Sequence, residues 1–263
     1  LYTRDEVSWS ALITGYVKEE KHTRALTCFE RMQIEGLSPD CITFTCVLKA
    51  CSGSGVIEKG KQVHNEVIIK GLEKEYVSLG NGLLDMYAKC GALTEAKQVL
   101  DKLRNRDIVS WNALISGYAQ CGQVRKAAFL FNQMRAKGVI PDAVTFLVML
   151  MACSHAGLVE QGEMLFNEMC FVYGLSPLLE HYTCMIDLYG RAGDFNKAKA
   201  ILDKMQHCRH LPMFLSLLGS CREWRNVQLG IWVFKQSVQL GEECGAAFVC
   251  VGNILTASEM QIE

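Results

Sequence analysis

The chain contains the stretch Leu103-Arg-Asn-Arg-Asp-Ile-Val-Ser-Trp-Asn-Ala-Leu-Ile-Ser-Gly-Tyr118, and its earlier counterpart reads Leu1-Tyr-Thr-Arg-Asp-Glu-Val-Ser-Trp-Ser-Ala-Leu-Ile-Thr-Gly-Tyr16. Eleven of the sixteen aligned positions are identical at an offset of 102 residues. Apolar residues recur every three or four positions, which is the spacing of an amphipathic helix. Because self-similarity at a fixed offset is the signature of a repeat protein, we predict an internally repeated helical fold.

The offset of 102 residues divides into shorter units. Glycines follow the first predicted helix of five successive units at intervals of 31 to 36 residues. They are Gly55, Gly91, Gly122, Gly157 and Gly193. Five residues after each of them stands a glycine or an alanine, which lets two helix axes approach closely. Each unit is therefore predicted to be two helices with a turn at the glycine. The predicted fold is an all-α, right-handed α-solenoid of such hairpins.

The composition narrows the classes of function. The chain has 263 residues, 50% hydrophobic content and a net charge of −1. This composition supports a packed core and provides no strongly basic field, so nucleic-acid binding must rest on local features. The thirteen cysteines contain no CxxC pair, which favours a reducing compartment and packing roles over disulfides or a zinc site. Since the chain starts at Leu1 without a leader segment, we expect a fragment of a longer protein.

Several segments resemble the motifs of the pentatricopeptide repeat family of plant organelles, in the subclass that mixes standard, long and short repeats. The opening of the standard repeat is similar to Val109-Ser-Trp-Asn-Ala-Leu-Ile-Ser-Gly-Tyr118. The long repeat is similar to Thr43-Phe-Thr-Cys-Val-Leu-Lys-Ala-Cys51, and the short repeat to Asn81-Gly-Leu-Leu-Asp-Met-Tyr-Ala-Lys-Cys-Gly91. The segment Leu217-Leu-Gly-Ser-Cys-Arg222 resembles the C-terminal E-type extension motif of this subclass.

The resemblance covers nearly the whole chain and implies a division into repeats. The implied segments are a repeat tail at 1–5, standard repeats at 6–40 and 108–142, long repeats at 41–76 and 143–178, short repeats at 77–107 and 179–210, an extension motif at 211–245 and a truncated second one at 246–263. The tetratricopeptide repeat is the nearest structural rival, but its fixed period of 34 residues does not fit units of varying length.

The resemblance also implies residues that read RNA. In this family a base is held between consecutive repeats: the fifth and last residues of a repeat face its edge, and the second residue packs on its plane. The implied contacts are the pairs Ser10–Asp40, Asn81–Asp107 and Asn112–Asp142, with Val7 and Val109 as wedges. A short polar side chain beside an apolar wedge suits an unpaired base. The implied readout is G, unknown, U, U from 5′ to 3′, because the later pairs Leu147–Leu178 and Thr183–His210 depart from the pattern.

The same residues have a structural alternative. Serine and asparagine near a helix start are common caps, and an aspartate before a helix interacts favourably with its N-terminal dipole. Three cations, Lys18, Lys89 and Arg191, share a position at the end of the first helix. They are expected either to meet RNA phosphates or to stabilise a helix C-terminus. The sequence leaves both interpretations open.

We expect no enzyme activity, cofactor or metal in this chain. Members of the subclass that this chain resembles direct cytidine-to-uridine editing. The zinc deaminase that performs the reaction needs a His-x-Glu motif followed by Pro-Cys-x-x-Cys. The segment His64-Asn-Glu66 matches only the first half. We therefore interpret His64 as a packing residue that faces a neighbouring helix.

The resemblance implies sequence-specific binding of single-stranded organellar RNA, most naturally as site recognition for editing. Expected further partners are editing accessory proteins or a deaminase supplied in trans, and neither a membrane nor DNA is expected. The implied location is the mitochondrion or the chloroplast, with the mitochondrion favoured. The alternatives are a factor for RNA stability or splicing without editing, and a protein-binding helical scaffold.

Overall fold

The computed structural model describes residues 5–72, 76–205, 210–239 and 245–259, with side chains up to residue 256 in the last range. Within these ranges it contains fifteen α-helices, one π-helical turn and no β-strand. The chain divides into two compact units, Leu1–Ile140 and Pro141–Glu263, which we call the N-terminal unit and the C-terminal unit. Parts of five predicted segments lie outside the described residues, namely 1–4, 73–75, 206–209, 240–244 and 260–263.

The N-terminal unit consists of four helical pairs. They are α1 (Glu6–Lys18) with α2 (His22–Ile34), α3 (Cys41–Ser54) with α4 (Ile57–Ile69), α5 (Val77–Lys89) with α6 (Leu93–Lys102), and α7 (Ile108–Gln120) with α8 (Val124–Ala136). The first helices α1, α3, α5 and α7 pack successively against one another. Each second helix packs on its own partner, and α2, α4 and α6 also pack on the next first helix.

The C-terminal unit repeats this arrangement. Its helices are α9 (Ala143–Ala156) with α10 (Val159–Asn167), α11 (Leu179–Arg191) with α12 (Phe195–Lys204), α13 (Leu211–Glu223) with α14 (Val227–Val238), and α15 (Gly245–Glu259). A π-helical turn, Glu168–Val172, continues α10. The first helices α9, α11, α13 and α15 pack successively. The predicted all-α fold is confirmed. The assignment of units to standard, long and short repeats stays a prediction.

Glycine forms the turn within most pairs. The five predicted turn glycines have φ between 66° and 77°, which only a residue without a Cβ adopts at no cost. The turn after α1 uses Glu20 instead, with φ 56°, and the turn after α13 uses Arg225, with φ 53°. The predicted turns at glycine are therefore confirmed, and two further turns form without one.

The small residues of the second helices permit close packing. A Cβ atom at Gly60 would lie 2.5 Å from Met86 Sδ on α5, so a side chain at this position would have to displace Met86. At the equivalent position of other second helices, Ala25, Ala96 and Ala127 are fully buried. The close approach predicted from the repeated small residue is confirmed.

The eleven described cysteines are free thiols. Cys51, Cys153 and Cys221 are buried, which confirms their predicted packing role. Burial raises the pKa of Cys51 and Cys153 to about 11 and that of Cys184 and Cys221 to about 12. The packing prediction is wrong for Cys121, which is exposed because it occupies the turn after α7.

Among the described residues, no cluster contains three or more side chains able to bind a metal ion. No helix in the described ranges combines the length and hydrophobicity needed to cross a membrane. His64 Nδ1 lies 2.9 Å from Tyr87 Oη on α5, so the predicted contact of His64 with a neighbouring helix is confirmed.

Candidate nucleic-acid interface

Four aspartates cap first helices. Asp5, Asp40, Asp107 and Asp142 precede α1, α3, α7 and α9, and each accepts the backbone N–H three residues later at 2.7–2.9 Å. Such caps satisfy a helix donor that would otherwise be unpaired. Ser10, Asn81 and Asn112 lie inside α1, α5 and α7, which begin after Asp5, Tyr76 and Asp107. The capping alternative for those three residues is therefore wrong, whereas the aspartates do cap.

One side of the first helices carries the predicted RNA contacts. We call it the first-helix face and define it by the second, fifth, ninth and thirteenth residues of each first helix. In α1 these are Val7, Ser10, Thr14 and Lys18, in α5 Ser78, Asn81, Asp85 and Lys89, in α9 Val144, Leu147, Met151 and His155, and in α11 Glu180, Thr183, Asp187 and Arg191.

A groove between α1 and α3 gathers the predicted contacts of the first pair. Its volume is about 460 Å³, and its lining includes Val7, Ser10, Lys18, Asp40 and Ile42. The side chains of Val7 and Ile42 are 75% and 62% exposed. The groove thus offers two apolar surfaces, a hydroxyl, a carboxylate and a cation, which together suit an unpaired base and its phosphate.

The pair Asn81–Asp107 is preformed. Asn81 Nδ2 donates to both carboxylate oxygens of Asp107, at 3.2 and 3.1 Å. These donations fix the amide orientation, and Asn81 Oδ1 is left without a partner among the described residues. Ser78, at the wedge position of α5, is exposed. Asn81 Oδ1 is therefore a buried acceptor beside a carboxylate that holds the amide donors.

The residues of the third pair belong to different units. Val109 is 56% exposed, and Asn112 is half-buried on α7 in the N-terminal unit. Asp142 is the second residue of the C-terminal unit and forms a reciprocal cap with Thr145, which donates its backbone N–H to Asp142 Oδ1 at 2.9 Å. The pairing of Asn112 with Asp142 stays a prediction.

Two of the three predicted phosphate-binding cations are already held by carboxylates. Lys89 Nζ lies 2.9 Å from Asp85, and Arg191 Nε lies 2.8 Å from Asp187, in each case one helical turn earlier. Asp187 also accepts hydrogen bonds from the hydroxyls of Ser154 and Ser216 on the adjacent first helices.

Lys18 differs from Lys89 and Arg191. Thr14 stands one turn earlier on α1, where the other two cations have an aspartate. Lys18 takes part in none of the ion pairs between the described residues. Of the three cations, Lys18 is therefore the one that lines a groove without a carboxylate partner.

On α9 the first-helix face is more apolar than on α1, α5 or α7. Val144, Met151 and Leu178 are exposed, and Leu147 is half-buried. Leu178 precedes α11, where the N-terminal unit has a capping aspartate before α3 and α7. These residues provide no polar pair at the fifth and last positions of the unit that begins at Ala143.

A buried histidine caps α11 instead. The backbone N–H of Leu178 donates to His181 Nδ1 at 3.1 Å, and His181 Nε2 lies 2.9 Å from the carbonyl oxygen of Ala143. Because Nδ1 accepts, the proton is on Nε2, which donates to Ala143. At the other predicted pair, Thr183 Oγ1 donates to the carbonyl of Leu179 at 2.8 Å, and His210 Nδ1 is buried without a partner among the described residues.

Sequence reasoning missed two exposed wedges and two carboxylates. Ile42 and Val144 are the second residues of α3 and α9, as Val7 and Val109 are of α1 and α7. A β-branched residue at the second position was therefore an available signal. Asp85 and Asp187 lie four residues before their cations, which is the spacing of a helical ion pair.

Comparison with protein families matched two profiles. The profile described as "PPR repeat family" matches residues 4–53 and 106–155, and that described as "PPR repeat" matches 81–108, 144–170 and 180–210. Together they cover about two thirds of the chain.

Three similar proteins of Arabidopsis thaliana are named as pentatricopeptide repeat-containing proteins. One is 39% identical over 98% of this chain, one named as mitochondrial is 36% identical over 98%, and CRR2, named as chloroplastic, is 38% identical over 98%. This chain covers 35%, 41% and 39% of their respective lengths.

Solved structures of pentatricopeptide repeat proteins have the same fold. The protein PPR10 in complex with an 18-nt psaJ RNA element superposes with a TM-score of 0.76 at 20% identity, over 95% of this chain and 37% of that one. The structure of PPR10 from maize gives a TM-score of 0.61 at 20% identity, over 96% of this chain and 42% of that one. The predicted α-solenoid class is thereby confirmed.

Proposed function

Since this chain belongs to the pentatricopeptide repeat family, we propose that it binds single-stranded RNA by sequence along its first-helix face. The observation that carries this proposal is the groove between α1 and α3. There two exposed aliphatic side chains, Val7 and Ile42, accompany the polar groups of Ser10 and Asp40 and the cation Lys18. RNA in a complex with PPR10, a protein of the same fold, supports the choice of ligand.

The proposed readout at Asn81 and Asp107 favours uridine. Uracil presents an N–H donor between two carbonyl acceptors on its pairing edge. We expect Asn81 Oδ1 to accept from that donor once the base displaces the groups that bury it, because both amide donations of Asn81 go to Asp107 and Oδ1 has no partner among the described residues. The pair Asn112–Asp142 is proposed to read a second uridine, and Ser10–Asp40 a guanosine, which gives G, unknown, U, U from 5′ to 3′.

We propose that the RNA process is site recognition for cytidine-to-uridine editing in a mitochondrion or chloroplast. The support is the resemblance of Leu217–Arg222 to the E-type extension of the mixed-repeat subclass, and the mitochondrial and chloroplastic names of similar proteins. The deaminase is then supplied in trans, together with editing accessory proteins. The alternative within RNA metabolism is a role in stability or splicing without editing.

A second candidate function is a protein-binding scaffold. The observation that favours it is the apolar surface formed by the first-helix face of α9 and the residue before α11, where Val144, Met151 and Leu178 are exposed. Exposed apolar side chains at neighbouring positions are typical of protein-binding surfaces.

The primary test is a fluorescence-anisotropy titration at fixed salt, since affinity for RNA depends on ionic strength. A strand containing G-N-U-U is compared with a scrambled strand of the same composition. We expect the first strand to bind at least about tenfold more tightly, from one or two hydrogen-bonded base edges. Equal binding would remove sequence readout, and no binding of either strand at low salt would favour the scaffold.

A sharper test changes one reading residue and keeps the helix cap. Asparagine caps helices as well as aspartate does, so Asp107→Asn is expected to fold normally. The amide can donate, whereas the carboxylate only accepts. The preferred base at one nucleotide should therefore move from uridine towards cytidine, and Asp142→Asn should move the adjacent one. An unchanged preference in Asp107→Asn would exclude it from the site.

A further inference from the structure

The pair α7–α8 has an unusual charge. Between residues 108 and 141 the chain has four basic residues and no acidic one. The sister pair α1–α2, over 6–39, has four basic and five acidic residues. Both pairs have the same backbone plan, so the repeat fold does not require the basic excess. In a chain of net charge −1, this pair is a local basic site.

The basic residues flank an exposed aromatic ring on the outward side of α8. Phe129 is 59% exposed, and Arg125 and Lys126 are exposed one turn before it. Residues three and four apart are neighbours on a helix surface. Lys126 Nζ also lies 5.6 Å from the ring centroid of Tyr118 at the end of α7. We call Arg125, Lys126, Phe129 and Lys137 the α8 patch.

No acidic side chain neutralises the α8 patch within the described part of the chain. Arg125, Lys126 and Lys137 form none of the ion pairs described there. At the equivalent positions of α2, 102 residues earlier, stand Thr23, Arg24, Thr27 and Glu35. The sister surface therefore has neither the aromatic ring nor the charge.

Lys137 has a structural cost. Its counterpart Glu35 accepts a hydrogen bond from Trp9 Nε1 at 2.9 Å. Trp111, the counterpart of Trp9, has its Nε1 buried with no partner among the described residues. An unsatisfied buried donor destabilises a fold. Packing thus gives no reason for lysine at position 137, whereas an anionic ligand would.

We propose that the α8 patch is a second, sequence-independent contact for single-stranded RNA, occupied by nucleotides that flank the strand on the first-helix face. Cationic side chains recognise the phosphates, and the face of Phe129 stacks on a base of any identity. The combination of basic and aromatic groups favours a nucleic acid over an acidic peptide, which offers charge but no ring to stack. This inference adds a surface to the proposed function and uses none of its reading residues.

The test compares two strands and two matched variants. The short strand contains only the G-N-U-U core, and the long strand has the same core within flanking nucleotides. The patch variant Arg125→Ala/Lys126→Ala/Phe129→Ala removes three of the four side chains of the α8 patch, and Arg24→Ala/Thr27→Ala changes the equivalent surface of α2. All five side chains are exposed or partly exposed, so circular dichroism should report unchanged helicity.

Wild type is expected to bind the long strand about tenfold or more tightly than the short one, since stacking of one base alone provides such a factor. The patch variant should lose this gain, and its salt dependence should fall by about 1.4 in logarithmic slope, or about 0.7 per phosphate. Its affinity for the short strand should stay within about twofold. The α2 variant should behave as wild type.

Lys137→Glu provides an independent test, because it should change stability and RNA affinity in opposite directions. It restores the acceptor that Glu35 supplies to Trp9, so the melting temperature should rise, while the gain from flanking nucleotides should fall. A gain that persists in the patch variant, or no gain in wild type, overturns the proposal. If a labelled polyglutamate peptide binds through the patch and RNA shows no gain, the partner is an acidic protein instead. If wild type does not bind the short strand, the proposed reading function is refuted instead.

Discussion

In the N-terminal unit an aspartate precedes α3 and α7, whereas in the C-terminal unit Leu178 precedes α11. Asp107 does two things at once, because it caps α7 and holds the amide of Asn81. In the C-terminal unit His181 satisfies the backbone from inside the helix. Leu178, the residue before α11, therefore does not have to cap the helix, and its aliphatic side chain is exposed. Both α7 and α11 thus have a side-chain hydrogen bond at their start, whereas α11 forms without a reading aspartate before it.

The difference extends along the first-helix face. In the N-terminal unit Asp85 contacts Lys89 within its own helix. In the C-terminal unit the equivalent Asp187 also accepts from Ser154 and Ser216, so it links three first helices. A carboxylate at one repeat position is thus a local ion-pair partner in one unit and an interhelical brace in the other. The two units share a backbone plan but are specialised for different contacts.

The largest expected effect is on the cap of α11. His181→Ala removes two hydrogen bonds of a buried side chain and leaves a cavity, so we expect a loss of about 3 kcal/mol in the free energy of unfolding. Asp107→Ala removes an aspartate cap in the N-terminal unit and should cost about 1 kcal/mol. Urea denaturation of both variants measures the difference. Equal losses would show that the two caps are not differently built.

Alkaline pH should affect the C-terminal unit more. Its buried thiols are those of Cys153, Cys184 and Cys221, and burial raises their pKa values to about 11 or 12. The N-terminal unit has one buried thiol among the described residues, that of Cys51, whose pKa burial raises to about 11. A raised folded pKa means that the folded state holds the proton more tightly. The associated stability is present below the unfolded pKa of about 8.5 and is lost as pH rises towards the folded value.

The loss in the free energy of unfolding approaches about 1 kcal/mol for each thiol and each pH unit. Hydrogen exchange in reducing buffer, corrected for intrinsic rates, should show a larger fall in protection for α11 and α13 than for α3. Cys184→Ala, which removes one titrating thiol, should lessen the fall in the C-terminal unit and leave α3 unaffected. Equal falls in both units would contradict the assignment.

Exchange of reading residues between the units tests the RNA surface. Asn81→Leu gives the N-terminal unit the side chain that Leu147 has in the C-terminal unit, and we expect RNA affinity to fall about tenfold through one lost base contact. Leu147→Asn is the reciprocal change, and it should alter affinity by less than about twofold because its last-position partner is Leu178. Anisotropy titration measures both. A greater loss in Leu147→Asn would reverse the roles assigned to the two units.

The smallest expected effect is an increase in RNA affinity. Asp85→Asn releases Lys89 to meet a phosphate, so binding should strengthen about threefold and the logarithmic salt slope should grow by about 0.7. Asp101→Asn is the matched control, because Asp101 pairs with Lys97 at the same helical spacing and distance on a second helix. Asp187→Asn should instead lower stability, since it weakens a brace. If Asp85→Asn and Asp101→Asn bind RNA alike, Lys89 makes no phosphate contact.

The pairs of helices and their turns could be predicted from sequence because both depend on residues close along the chain. The turn glycines and the small residues five positions later mark five of the hairpins directly. The hydrogen-bond partners of side chains were harder to predict from sequence. Glu35 lies 26 residues after Trp9, and Ala143 lies 38 before His181. Such contacts depend on how neighbouring helices pack, and local periodicity contains no information about them.

The predicted site shows the same division. Val7, Ser10, Lys18 and Asp40 could be assigned to one groove because the repeat phase brings them together. That phase did not reveal that Lys89 and Arg191 are held by carboxylates, because ion pairing depends on the residue one turn earlier rather than on the repeat position. Ile42 and Val144 could have been assigned from the same phase, because they are β-branched like Val7 and Val109.

The order of helix packing has a consequence for how the chain folds. In each unit the extensively packed helices are at most two elements apart in sequence. Closing only short loops costs little chain entropy, so folding of either unit should be fast and can begin at any hairpin. Among the described residues, the extensively packed helix pairs of each unit involve no element that is distant in sequence. Under mechanical tension we therefore expect each unit to extend in steps of one hairpin, because unfolding of one helical pair removes the packing partner of the next.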